Sequence, residues 1–289
     1  MRSGLLAITI GLALAAPAGA DIGSGDAAYA QRAAGAAGGQ ADPGPIGEAV
    51  RAYQAALAAE PEGLEIRWKL LRALYFEGDF ATADRAAEKA LFERATALAD
   101  ESLTRLAERA GGALVGLSDA ELRERLARAG IATSDVAALH FWSAVAWGAW
   151  SQSHGLLDAV REGVAERIYE QARLAHRLDP DLEQGGSLRL LSRLHAKLPR
   201  VPLVSGFVDR KQAEPLAAQT LERWPEHPGN RLLLALTWLE LSPERRGEAL
   251  ALLGEVAASA PRASQQVEDA AVVIAAQERL AAEQARGGS

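Results

Sequence analysis

Side chains able to do covalent chemistry are few here, and their spacing arms none of them. There is no cysteine, which excludes disulfides, thiolate metal sites and cysteine nucleophiles. The five histidines (His140, His154, His176, His195 and His227) are scattered, and no His-x3-His pair sits beside a glutamate as a metallohydrolase helix requires. Gly23-Ser24-Gly25 and Ser205-Gly206 lack the spacing of a nucleophile elbow, and no glycine-rich loop carries a lysine for phosphate. Acidic residues are plentiful, but on helical faces they are ordinarily solvated. The expectation is therefore no catalytic residue, no metal, no cofactor and no enzymatic activity.

Binding chemistry is better represented. The stretch Phe141-Trp142-Ser143-Ala144-Val145-Ala146-Trp147-Gly148-Ala149-Trp150 holds three of the six tryptophans. Trp142, Ala146 and Trp150 share one helical face, while Phe141 and Trp147 lie elsewhere around the axis. A helix that is apolar all round is buried or lines a cavity. Small neighbours (Ser143, Ala146, Gly148, Ala149) leave space beside the rings, which suits an apolar groove with few polar groups. The candidate ligand contacts are Phe141, Trp142, Trp147, Gly148 and Trp150, with plain core packing the commoner explanation on spacing alone. Arg189, just past Gly185-Gly186, is a candidate carboxylate partner, with a local pairing to Glu183 as the competing role. Trp68, Leu71 and Tyr75 read as packing between helices.

These residues need helices to position them. Alanine and leucine dominate and β-branched residues are sparse, a strong helix bias. Four segments repeat one skeleton: Ala49–Tyr53–Ala56–Pro61, Ile168–Ala172–Ala175–Pro180, Ala213–Ala217–Thr220–Pro225 and Ala249–Leu253–Val256–Pro261. Steps of four and three place the first three residues on one helix face, and the proline ends the helix. A fifth copy, Ala83–Ala87–Ala90, lacks the proline. Upstream of it, Trp68–Leu71–Arg72–Tyr75 matches the W-x2-L-G-x2-Y opening of a tetratricopeptide repeat, with Arg72 in place of the glycine. The spacing predicts an all-α, tetratricopeptide-like helical-hairpin solenoid; an irregular helical bundle is the alternative.

Residues 81–110 lack glycine and proline and predict one long helix, followed by a Gly111-Gly112 break and a polar helix over 118–129. Asp135 is expected to cap the aromatic helix, which runs to about Ser153. Residues 45–285 thus form one repeat domain with a specialised centre at 113–155. Residues 21–44, rich in Gly, Ala, Asp and Pro, predict a flexible entry with at most a short helix over 27–37.

The first twenty residues read as an address. Arg2 precedes an uncharged apolar run from Leu5 to Ala16, and Ala18-Gly19-Ala20 is a small-x-small cleavage site before Asp21. The run is shorter than the ~20 residues a spanning helix needs. The expectation is an exported, periplasmic protein cleaved after Ala20, with no lipoprotein cysteine. The net charge of −7 comes without a basic stripe, which excludes nucleic acid as a partner.

One ordered set of motifs is similar to a known family. The Trp147-Gly148-Ala149-Trp150 helix is followed by Leu178-Asp179-Pro180, Gly185-Gly186, Leu188-Arg189-Leu190-Leu191 and His195-Ala196-Lys197-Leu198-Pro199. Gly206, Lys211, Ala213 and Asn230-Arg231-Leu232-Leu233-Leu234-Ala235 complete the order. It resembles the T component of tripartite ATP-independent periplasmic (TRAP) transporters, the TatT-like family, over roughly residues 49–282. The resemblance implies a helical-repeat fold closed into a cup or channel with an apolar interior. It also implies a non-enzymatic accessory role beside a periplasmic solute-binding protein, with a hydrophobic small molecule or organic acid as ligand. Some members are lipoproteins, and this chain departs from them in lacking the acylated cysteine. A periplasmic scaffold that docks protein segments is the other reading, and a homo-oligomer is compatible with either.

Overall fold

A computed structural model describes residues 21–200 and 205–287; the expected leader, residues 1–20, lies outside them. Thirteen α-helices account for most of the described residues. The N-terminal hairpins comprise α1 (Ile22–Ala30), α2 (Pro43–Ala59), α3 (Leu64–Phe76) and α4 (Arg85–Arg109). The centre holds α5 (Asp119–Ala129), α6 (Thr133–His154) and the short α7 (Leu156–Arg161). Then come α8 (Val164–Leu178), α9 (Gly186–Lys197), α10 (Arg210–Arg223), α11 (Pro228–Leu241), α12 (Arg246–Ala257) and α13 (Gln266–Gly287). Among the described residues no helix is long and apolar enough to cross a membrane.

The recurring skeleton is the packing face of the outer helices. Ala49, Tyr53 and Ala56 on α2, Ile168, Ala172 and Ala175 on α8, Ala213, Ala217 and Thr220 on α10, and Ala249, Leu253 and Val256 on α12 are all buried. Small residues there let the preceding or following helix approach closely, and each proline falls in the turn beyond the helix end. The fifth copy differs. Ala83, Ala87 and Ala90 are exposed. A wide, π-helical turn at Glu77–Ala81 follows α3, and the Asp84 carboxylate caps the amides of Ala86 and Ala87, so α4 begins only at Arg85. Its buried face becomes Phe92, Ala95, Thr96, Ala99, Ser102 and Leu106.

Sequential helices pair as antiparallel hairpins, so the chain is an all-α helical-hairpin fold in two layers. Helices α2, α4, α8, α10 and α12 lie outside, and α3, α6, α9, α11 and α13 face inward. The α5 helix starts with a capping box formed by Ser118 and Glu121, and it buries Leu122 and Leu126 with Leu106 and Leu114. The α6 helix begins at Thr133 without a side-chain cap. Asp135 is not its cap: it lies in the first turn and accepts a hydrogen bond from Trp68 Nε1 at 3.1 Å.

The entry segment is ordered rather than loose, which corrects the composition-based expectation. Asp21 caps α1, and α1 docks on α2 through a hydrogen bond of 2.7 Å from Tyr53 Oη to Asp26. After α1 the chain turns over residues 31–40, pinned by paired backbone hydrogen bonds between Ala37 and Gln40. There it meets the last helix. Arg32 donates to Glu268 (2.9 Å), to the Ser264 carbonyl (2.8 Å) and to Gln265 (3.1 Å). Gly39 lies against α13 so closely that a Cβ would stand 3.0 Å from Ala271 Cα. First and last elements therefore meet, and the solenoid closes into a ring around an interior cavity.

Candidate functional site

The interior has two chambers. One, of about 720 Å³, lies between α1 and α3 on one side and the start of α13 on the other. Its wall carries Asp26, Arg32, Lys69, Arg72, Arg262 and Glu268, with Tyr29, Phe76 and Phe80 among them. The second, of about 430 Å³, is bounded by α6, α9 and α11 and is mostly apolar, through Phe141, Val145, Ala149, Leu190, Leu232 and Leu236. Tyr75, Trp142, Glu183, Arg189, His227 and Val272 line both. The chambers adjoin across those six residues.

Charges on the first wall are largely matched in pairs. Lys69 bridges Asp26 and Glu65, each at 2.7 Å, Arg32 meets Glu268, and Arg262 grips the buried Asp269 at 2.7 Å. Burial works against ionisation of Asp26, but hydrogen bonds from Lys69 and Tyr53 outweigh it and hold its carboxyl below the usual range. Two guanidinium groups stand apart: among the described residues neither Arg72 nor Arg189 makes an ion pair with a carboxylate. Arg72 lies over the Tyr29 ring, 3.9 Å from its centroid, and 5.2 Å from that of Trp68. The buried Nε atoms of Arg72 and Trp142 and Oε2 of Glu268 lack partners.

Arg189 is positioned by an unusual turn. Glu183 (φ 50°), Gln184 (φ 51°) and Gly185 (φ 84°) all take left-handed conformations before α9 begins. That arrangement presents two carbonyl oxygens to the guanidinium, Glu183 at 2.7 Å and Gln184 at 2.8 Å, while Asn230 Oδ1 accepts at 3.0 Å. Left-handed conformations cost roughly 1 kcal/mol each for non-glycine residues, and these hydrogen bonds offset the strain. Arg189 thus bonds the backbone of Glu183 rather than its carboxylate. Burial lowers the Arg189 pKa to about 10. His227 is pushed down to about 3, first by burial and then by the positive charges of Arg189 and Arg262.

Of the candidate contacts, the cavity brings together Phe141, Trp142, Gly148 and Arg189. Trp147 and Trp150 sit elsewhere, in a cluster between α6 and α8 with Val164 and Ile168. There Trp147 Nε1 donates to Asp100 at 3.2 Å beneath the Arg167 guanidinium, and Trp150 stacks on His154 with centroids 4.2 Å apart. The α6 helix therefore divides its aromatic residues between a cavity wall and a packing seam. Sequence reasoning missed Arg72, Tyr75 and His227. For Arg72 a signal existed: it stands where the repeat pattern has glycine, and a long cation at an inward position has a reason to be there. Among the described residues no cluster of His, Asp and Glu could hold a metal ion. The chain matches no protein-family model and no curated protein.

Proposed function

We propose that this protein is a non-enzymatic binding component that holds a hydrophobic or organic-acid ligand inside its helical ring. The observation that carries the reading is the pair of adjoining chambers, one apolar and one lined with charge, half-open to solvent between the inner helices and bordered by the contact of Arg32 and Gly39 with α13. Their volumes fall within the range that small-molecule sites occupy. A scaffold for peptide segments would need an open concave face instead.

The resemblance to the T component of TRAP transporters supplies the biological setting for this proposal. In that setting the mature chain is periplasmic, receives its ligand from or delivers it to a solute-binding protein, and does no chemistry on it. Two measurements test the reading. Trp142 stands at the junction of the chambers, so titration with apolar acids and alcohols is expected to shift the intrinsic tryptophan fluorescence. Capture from a periplasmic extract is expected to retain a solute-binding protein. A flat fluorescence response across the whole panel overturns ligand binding, and retention of an envelope-assembly protein alone overturns the transport setting.

A further inference from the structure

The charges around the junction select a kind of ligand. Once Lys69, Arg32 and Arg262 are assigned to their carboxylates, four charged side chains remain on the chamber walls: Arg72, Arg189, Arg193 and Glu183. Three cations stand against one anion, Arg193 at the exposed edge and Arg72 and Arg189 at the junction, so the walls carry positive charge in excess. A partly buried cation without a counter-ion is unfavourable, and a ligand that supplies one negative charge relieves it.

Geometry agrees with that sign. Arg72 lies over the Tyr29 ring, 3.9 Å from its centroid, and its buried Nε–H has no partner, which leaves it to donate to a ligand. Arg189 is held along part of its fork by two carbonyls and an amide oxygen, all neutral acceptors that leave its charge unmatched. A cationic ligand would find the Tyr29 ring already covered by Arg72 and Arg32. The suppressed protonation of His227, which Arg189 and Arg262 help to cause, reports the same positive field. Beyond the junction the second chamber offers Val145, Leu190, Leu232 and Leu236, with Arg193 an exposed cation on its wall and Glu183 its one anion.

From this we infer that the ligand is an amphiphilic monocarboxylate. Its carboxylate lies between Arg72 and Arg189, and its hydrocarbon part passes Trp142 into the apolar chamber along α6. The inference rests on the proposal that the cavity binds a ligand, and adds its charge and orientation.

The test uses the full mature protein and two sets of probes, decanoate with decanol and decylamine, and naphthoate with the matching naphthyl alcohol and amine. Affinities are read by calorimetry or tryptophan fluorescence. In at least one set the acid is expected to bind about tenfold or more tighter than the alcohol, as one charge-assisted contact provides, and the amine is expected to bind least. Arg72→Gln is expected to weaken the acid about tenfold and leave the alcohol unchanged, whereas Arg72→Lys retains most of the preference. Arg189→Gln should act alike; because Arg189 also braces the turn before α9, Arg72→Gln decides the matter if the Arg189 variant loses its cooperative melt. Equal affinity for acid and alcohol, or preference for the amine, overturns the carboxylate grip while ligand binding stands. No binding by any probe overturns both.

Discussion

Gly185 sits at the end of the left-handed turn with its Cα facing Trp224, so that a Cβ would lie 2.5 Å from Trp224 Cζ3. An alanine there would face both a strained φ and a ring that must move. Gly185→Ala is expected to destabilise the fold by about 2–4 kcal/mol, read as a lower urea midpoint at unchanged m-value. A second residue contributes to the acid limit. His140 is buried on α6, where its Nδ1–H donates to Gln171 Oε1 and its Nε2 has no partner. Burial lowers its pKa from 6.5 to about 4, against a smaller opposing effect of Gln171. The folded protein therefore keeps this imidazole neutral while the unfolded chain takes up a proton. Stability from this source is complete above pH 6.5 and falls as pH drops towards 4, by on the order of 3 kcal/mol. Urea midpoints between pH 7 and 4.5 should decline less steeply in His140→Phe than in the parent.

Among the elements, α13 has its N-terminal end held by two ion pairs, Arg32–Glu268 and Arg262–Asp269. Asp269 is 1% exposed and accepts from the Arg262 backbone amide and guanidinium. The same guanidinium reaches Gln184 Oε1 at 2.6 Å, which links the loop before α13 to the turn that presents Arg189. Asp269→Ala is expected to cost about 3 kcal/mol, since it leaves a cation without its partner. It should also weaken ligand affinity, whereas a change on the exposed face of α7, such as Leu157→Ser, should alter neither by more than about 0.5 kcal/mol. Much of this level was legible beforehand. Four outer helices announced themselves through small residues and a closing proline, because close packing of hairpins depends on local spacing. Ala83–Ala87–Ala90 misled because the π-helical turn at Glu77–Ala81 moves the helix start, and no propensity records an i+5 hydrogen bond. Order in the entry segment also escaped notice, because Asp26, Arg32 and Gly39 act on α2, α3 and α13, partners distant in the chain or invisible to composition.

At the scale of the whole molecule, the site exists only because distant segments converge. Phe141, Trp142 and Gly148 were visible as an unusual helix, but whether a ring faces a cavity or a packing seam depends on which helix crosses it. Trp142 meets Tyr75 of α3, at 5.9 Å between centroids, whereas Trp147 meets α8. Closure has a further consequence for how the protein comes apart. In an open array of repeats each unit touches only its neighbours, so the terminal units fray first and unfolding advances inward. Here the contact of Arg32 and Gly39 with α13 joins the two ends of that one-dimensional lattice and removes its loose ends. Hydrogen exchange is expected to show α1 and α13 protected to about the same extent as α3 and α11. In Arg32→Ala/Gly39→Leu, with the seam weakened by roughly 2 kcal/mol, those two helices should become the first to exchange. For the ligand proposed above, release through this seam would make its dissociation rate rise in step with their exchange, and an unchanged rate would place the exit elsewhere.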